Sequence, residues 1–137
     1  MDNGTSMVLN FFLQLCIATA LVPYDGITLY NAINGPNSNR TVLIDNDGNQ
    51  IQEWIGAEKI ASTPYLLQGG ELLRPCIVPG NGGPAAGGRI QKFSYEGGVL
   101  WDFTFGDQNN QPHHDICPMP NGNVLIVAWD KKTQAEG

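Results

Sequence analysis

The stretch Val42-Leu43-Ile44-Asp45-Asn46-Asp47-Gly48-Asn49-Gln50-Ile51-Gln52-Glu53-Trp54 lines up with Gln91-Lys92-Phe93-Ser94-Tyr95-Glu96-Gly97-Gly98-Val99-Leu100-Trp101-Asp102-Phe103, Gly48 falling on Gly97. A second pair interleaves with the first: Leu66-Leu67-Gln68-Gly69-Gly70-Glu71-Leu72-Leu73 matches Pro118-Met119-Pro120-Asn121-Gly122-Asn123-Val124-Leu125, Gly70 falling on Gly122. The spacing, about 50 residues in both cases, delivers strand, Gly turn, strand, spacer, strand, Gly turn, strand, which is one four-stranded propeller blade written in sequence. The expected fold is therefore all-β, a partial β-propeller. Two repeats fall short of the roughly 4–8 blades that close a ring. The chain is accordingly expected to be shortened relative to a longer ancestor, with association between copies or an open form as the alternatives.

Working outward, Gly26-Ile27-Thr28-Leu29-Tyr30 reads as a strand, and Asn34 to Arg40 as a polar loop. Asp47-Gly48 turns a hairpin, as do Gly69-Gly70, Gly97-Gly98 and Asn121-Gly122. The run Gly80 to Gly88 is a loop by its glycines and prolines. No helical period follows residue 25. The phase of the blades follows: outer hairpins at 41–54 and 89–105, inner strands at 63–68 and 114–119. One whole blade, 63–105, thus has a half blade on each side.

Composition agrees. Seventeen glycines and nine prolines in 137 residues demand many turns and favour short strands. A net charge of −6 with only seven Lys and Arg supplies no basic stripe, so nucleic acid is not an expected partner. Residues 1–22 differ in kind, because Met7 to Val22 is an apolar run closing on Ala18-Thr19-Ala20, like a signal-peptide core with its cleavage site. No Lys or Arg precedes that run, and a buried helix or strand is the competing reading. It is too short for a stable membrane span, which needs roughly 20 residues. On the signal reading the protein is secreted or periplasmic, with 23–137 as the incomplete propeller domain. Cys76 and Cys117 then remain and can pair in an oxidising compartment, or else serve as small apolar strand residues.

The only histidines lie in His113-His114-Asp115-Ile116-Cys117. Two imidazoles beside a carboxylate can bind a metal, relay a proton or steady an oxyanion, or can simply bond neighbouring loops at a strand end. Strict alternation would send His113 and Asp115 to one side and His114 to the other, which argues against a metal site. No Cys/His zinc spacing is present. Asp45 to Asn49 resembles the start of a calcium loop, but Gln50 stands where the loop needs Gly and Gly56 where it needs Glu, so it reads as a hairpin turn. Trp54, Trp101 and Trp129 are expected to pack between blades, a sugar or aryl platform being the alternative.

Gly26-Ile27-Thr28-Leu29-Tyr30-Asn31, Val42 to Asn49, Gly87-Gly88-Arg89-Ile90-Gln91 and, above all, His113-His114-Asp115-Ile116-Cys117-Pro118-Met119-Pro120-Asn121-Gly122-Asn123-Val124-Leu125 resemble, in order and spacing, the amino-terminal part of arylsulfotransferase (aryl-sulfate sulfotransferase) family proteins. The resemblance implies a six-bladed propeller, an aryl sulfate donor, a phenolic acceptor and a transiently sulfated histidine, with no cofactor. It makes His114, with His113 as its alternative, a supporting channel histidine. Asp115 would orient an imidazole, and Arg89 would be a candidate contact to the anion. The nucleophilic histidine of the family lies in a later blade, so this chain is expected to be inactive alone. The alternative is a non-catalytic structural or binding module that self-assembles into homo-oligomers through open sheet edges.

Overall fold

The computed structural model describes residues 24–32, 35–78, 86–107 and 109–135. The apolar leader, Cys16 and most of the Gly80 to Gly88 loop lie outside these residues. Among the described residues the fold is all-β, with no helix and so none long and apolar enough to cross a membrane. The described residues form nine strands in three antiparallel sheets, none of them closed. Sheet A contains β1 (Thr28–Asn31), β2 (Arg40–Ile44) and β3 (Gln50–Ile55). Sheet B contains β4 (Tyr65–Leu66), β5 (Leu72–Ile77), β6 (Gly88–Phe93) and β7 (Val99–Thr104), and sheet C contains β8 (Asn110–Pro118) and β9 (Val124–Asp130). Every strand pairs with its sequence neighbour, and sheet B occupies the 63–105 interval that the repeat marks as one unit.

The repeat is local chemistry first. Gly48, Gly70, Gly97 and Gly122 all have φ between 83° and 92°, a conformation that costs a side-chain-bearing residue strain. Each closes the same turn with the same two bonds. Gly48 N donates to Asp45 O (3.2 Å) and Asp45 N to Asn49 O (3.0 Å); Gly97 N donates to Ser94 O (3.1 Å) and Ser94 N to Gly98 O (2.7 Å). Gly70 and Gly122 repeat this on Leu67 and Met119. The register shift at Leu43/Ile44 recurs at Lys92/Phe93, the matching pair in the alignment. Asp45 serves its own turn: Oδ1 accepts from Asp47 N (3.0 Å) and Asn49 N (2.8 Å), and the side-chain bond from Asn49 holds the carboxyl below its ordinary range.

Alternation then gives sheet B two working faces. Leu72 and Phe93 turn toward sheet A and bury Leu43 and Trp54, while Leu73 and Ile90 turn toward sheet C and bury Ile116. β5 is covered on both faces, which is why its sequence reads as a run rather than an alternation. Trp54 is wholly buried, its Nε1–H donating to Ser94 O (2.8 Å) and its ring edge-on to Tyr95 (6.1 Å). Trp101 and Trp129, by contrast, remain substantially exposed, because nothing described covers the outer ends of β7 and β9.

Among the described residues one charged side chain is buried, and it lies between sheets A and B. Arg74 is fully buried: Nη1 donates to Asn39 O (2.9 Å) and Thr41 Oγ1 (3.4 Å), Nη2 to Gln91 Oε1 (3.3 Å), and Cζ sits 4.7 Å over the Phe93 ring. Among the described residues no carboxylate forms an ion pair with it, and its Nε has no partner. Burial pushes its pKa below the ordinary guanidinium value. Gly56 makes the room, since a Cβ there would lie 1.6 Å from Nη2.

Two expectations change. The two described cysteines are free thiols and do not pair, Cys76 being buried beside Arg74 and Cys117 exposed on sheet C. β8 begins at Asn110, so the histidines lie inside a strand instead of introducing it.

Candidate functional site

β8 carries the sequence-derived site residues, and it is irregular where they sit. Its pairing with β9 shifts between Pro112 and Ile116, and His114 adopts φ 49°, the only described residue other than glycine with a positive value. Such a backbone is costly for a side-chain-bearing residue and persists only when its surroundings impose it. Pro112 is the last residue paired with β9 before the shift, and Gly87 lets a neighbouring segment press close, a Cβ there lying 3.1 Å from Pro112 O and 3.4 Å from His114 N.

The bulge overturns the alternation argument. His113 and His114, which a regular strand would point to opposite faces, have their Nδ1 atoms 3.3 Å apart and ring centroids 4.5 Å apart. One Nδ1 must donate and the other accept, so each ring keeps its Nε2 for other partners. His113 also stacks on Trp129 (5.3 Å, planes 19° apart), which fixes its orientation.

Asp115 faces another neighbour. Its Oδ1 accepts from its own strand at Ile116 N (2.9 Å) and from Tyr65 Oη on β4 (3.2 Å). Desolvation, then the Asp115 charge, raises the Tyr65 phenol above its ordinary value. The first strands of sheets B and C therefore meet at Tyr65 and Asp115. No hydrogen bond joins Asp115 to either imidazole in the described set.

Arg89 lines the same small cleft as His113, His114 and Asp115, together with Phe103, Phe105 and Pro112. Its guanidinium is already engaged: Nε and Nη2 grip the Asp102 carboxylate (2.8 and 2.6 Å), and Nη1 reaches Glu58 (3.1 Å). The bond to Asp102 raises the Arg89 pKa, and Arg89 in turn holds the Asp102 carboxyl below its ordinary range. Two carboxylates on one guanidinium leave no net positive charge there for an anion. The cleft itself encloses about 10 Å³, room for roughly one water.

Reading the sequence alone misses Tyr65 and Trp129 as neighbours of the histidine motif, since both contacts are long-range. Pro112 was the available signal for the bulge, because proline inside a paired strand marks an irregularity. No group of three or more potential metal ligands occurs among the described residues. Compared with protein-family models the chain matches none, and a search of curated proteins gives no match.

Proposed function

We propose that this chain is an arylsulfotransferase-like β-propeller segment that carries supporting groups of a sulfuryl-transfer channel and does not transfer sulfuryl groups by itself. The observation that carries the reading is the His113–His114 pair on a strained bulge of β8, beside the contact between the first strands of successive sheets. In a propeller those first strands line the central channel. A four-stranded meander between two smaller sheets, with recurring turns and register shifts, supports the propeller part of the reading. Two imidazoles joined through Nδ1 keep their Nε2 atoms for the oxygens of an aryl sulfate, while Asp115 and Trp129 position the strand and the His113 ring. A phenolic acceptor and a nucleophilic histidine would complete the reaction; the two histidines present are already committed to each other.

The test pairs a transfer assay with a binding readout. The 137-residue chain should show no transfer from p-nitrophenyl sulfate to phenol, yet p-nitrophenyl sulfate should shift the imidazole NMR signals of both histidines. His114→Asn keeps a residue tolerant of left-handed φ and should abolish the shift without unfolding. Transfer by the unsubstituted chain, or histidine signals that ignore the ligand, would refute the reading.

A second reading, a non-catalytic binding module, is favoured by one observation. Arg89 is saturated by Asp102 and Glu58, while apolar side chains on β7 and β9 remain open to solvent.

A further inference from the structure

A regular strand sends consecutive side chains to opposite faces. β8 does not, because His113, His114 and Asp115 stand between the Pro112–Ala128 and Ile116–Ile126 pairs, where β9 supplies Val127 alone. The surplus is absorbed at His114, whose left-handed φ of 49° accompanies the approach of the two Nδ1 atoms to 3.3 Å. Backbone strain and ring contact therefore form one unit.

The consequence lies in the proton count. With both rings neutral, one Nδ1 carries a hydrogen and the other accepts it with its lone pair. A first proton can settle on the unprotonated Nε2 of the donor ring, which makes the bond charge-assisted and stronger. A second has only the accepting Nδ1 left. It occupies the lone pair that makes the bond and sets two cationic N–H groups against each other.

The surroundings do not take over that role. Asp115 on β8 itself is turned to Ile116 N and to Tyr65 Oη of β4, and among the described residues no carboxylate bonds to either imidazole. β6 brings Arg89, a further cation, held by Asp102 of β7 and by Glu58. β5 brings Leu73 and Pro75, β9 brings Ile126 and Trp129, and Asp130 next along is paired with Lys132.

We infer that the His113–His114 pair is an acid-released clasp, which holds the β8 bulge with no proton or one proton added and lets go when the second binds. Release frees His114 from its left-handed backbone and the His113 ring from Trp129. Imidazole is the side chain that ordinarily changes charge between about pH 5 and 8, so acidification within that range drives the device. It is independent of sulfuryl transfer.

The chain has no other histidine, so the imidazole NMR signals of the full chain report on the pair directly. At pH 8, long-range proton–nitrogen spectra should show one ring protonated at Nδ1 and the other at Nε2, with a ring-to-ring NOE between them. On acidification the pair should titrate in two steps more than about one pH unit apart. The NOE, and the upfield shift that Trp129 gives the His113 ring, should vanish on the lower step, while amide protection on β5 and β6 persists. His114→Asn keeps a residue tolerant of positive φ, and should leave His113 with a single step and an intact Trp129 contact throughout. The same tautomer in both rings at pH 8, overlapping independent titrations, or an NOE that survives the lower step would overturn the inference. So would acid release of Trp129 in the His114→Asn chain, or loss of β5 and β6 protection on the same step, which would make the event global acid unfolding.

Discussion

Substituting Gly56 by Ala tests the buried guanidinium directly. Gly56 needs no positive φ, so on backbone grounds alone Ala should stabilise by about 0.4–1 kcal/mol through the unfolded chain. The added Cβ, however, would lie 1.6 Å from Arg74 Nη2 and 2.9 Å from Cζ. Arg74 is wholly buried and cannot swing into water. It must yield its bonds to Gln91 and Asn39, or the sheets must part. Overpacking costs about 1–3 kcal/mol, and donors left unmet in the interior add about 1–3 more. Set against the backbone gain, the net loss should lie between about 1 and 5 kcal/mol, centred near 3. Urea unfolding followed by tryptophan fluorescence reads this as a midpoint lowered by about 1–2 M, at the slopes usual for small domains. In an Arg74→Met background, where Nη2 and Cζ are gone, Gly56→Ala should cost less than about 1 kcal/mol, giving a coupling of about 2 kcal/mol. A loss below about 0.5 kcal/mol in the parent chain, or an equal loss in both backgrounds, would refute the reasoning.

Asp102 should contribute a pH-dependent component of stability. Its carboxyl is held below the ordinary value of about 3.9 by Arg89, so the contribution is fully present above about pH 4 and fades as pH falls through the folded-state value. Asp102→Asn should flatten that part of the urea-midpoint profile, and parallel profiles would contradict the assignment. Burial pushes the Cys76 thiol up to about 11 while Cys117 is exposed, so in a Cys16→Ser chain at pH 8 a thiol reagent should label Cys117 fast and Cys76 only on opening. Comparable rates would count against the packing of the A–B interface. Trp54→Ala should destabilise by about 3–5 kcal/mol and Trp101→Ala by less than about 1, a contrast that equal losses in thermal unfolding would disprove.

The hairpins were legible because a turn is settled by residues next to one another. Gly48, Gly70, Gly97 and Gly122 stand where φ must be positive, and their spacing alone predicts which strands group between 63 and 105. Asp45 likewise reads correctly as a turn residue, since its partners lie within four positions.

Contacts that join distant positions were not legible. Arg74 in the run Leu72 to Ile77 gives no hint that it is buried, because its surroundings come from Asn39 in the turn before β2, Thr41 on β2 and Gln91 on β6. Arg89 looked available to an anion until folding brought Asp102 and Glu58 against it. The histidines were identifiable by residue type, but their approach depends on a bulge of β8 against which Gly87 packs and beside which Trp129 stacks on His113. Local dihedral preference and hydrophobic alternation thus determined the strands and their order. Only tertiary packing decided which charges are neutralised and which imidazoles meet, because those depend on groups far apart in sequence competing for the same few ångströms.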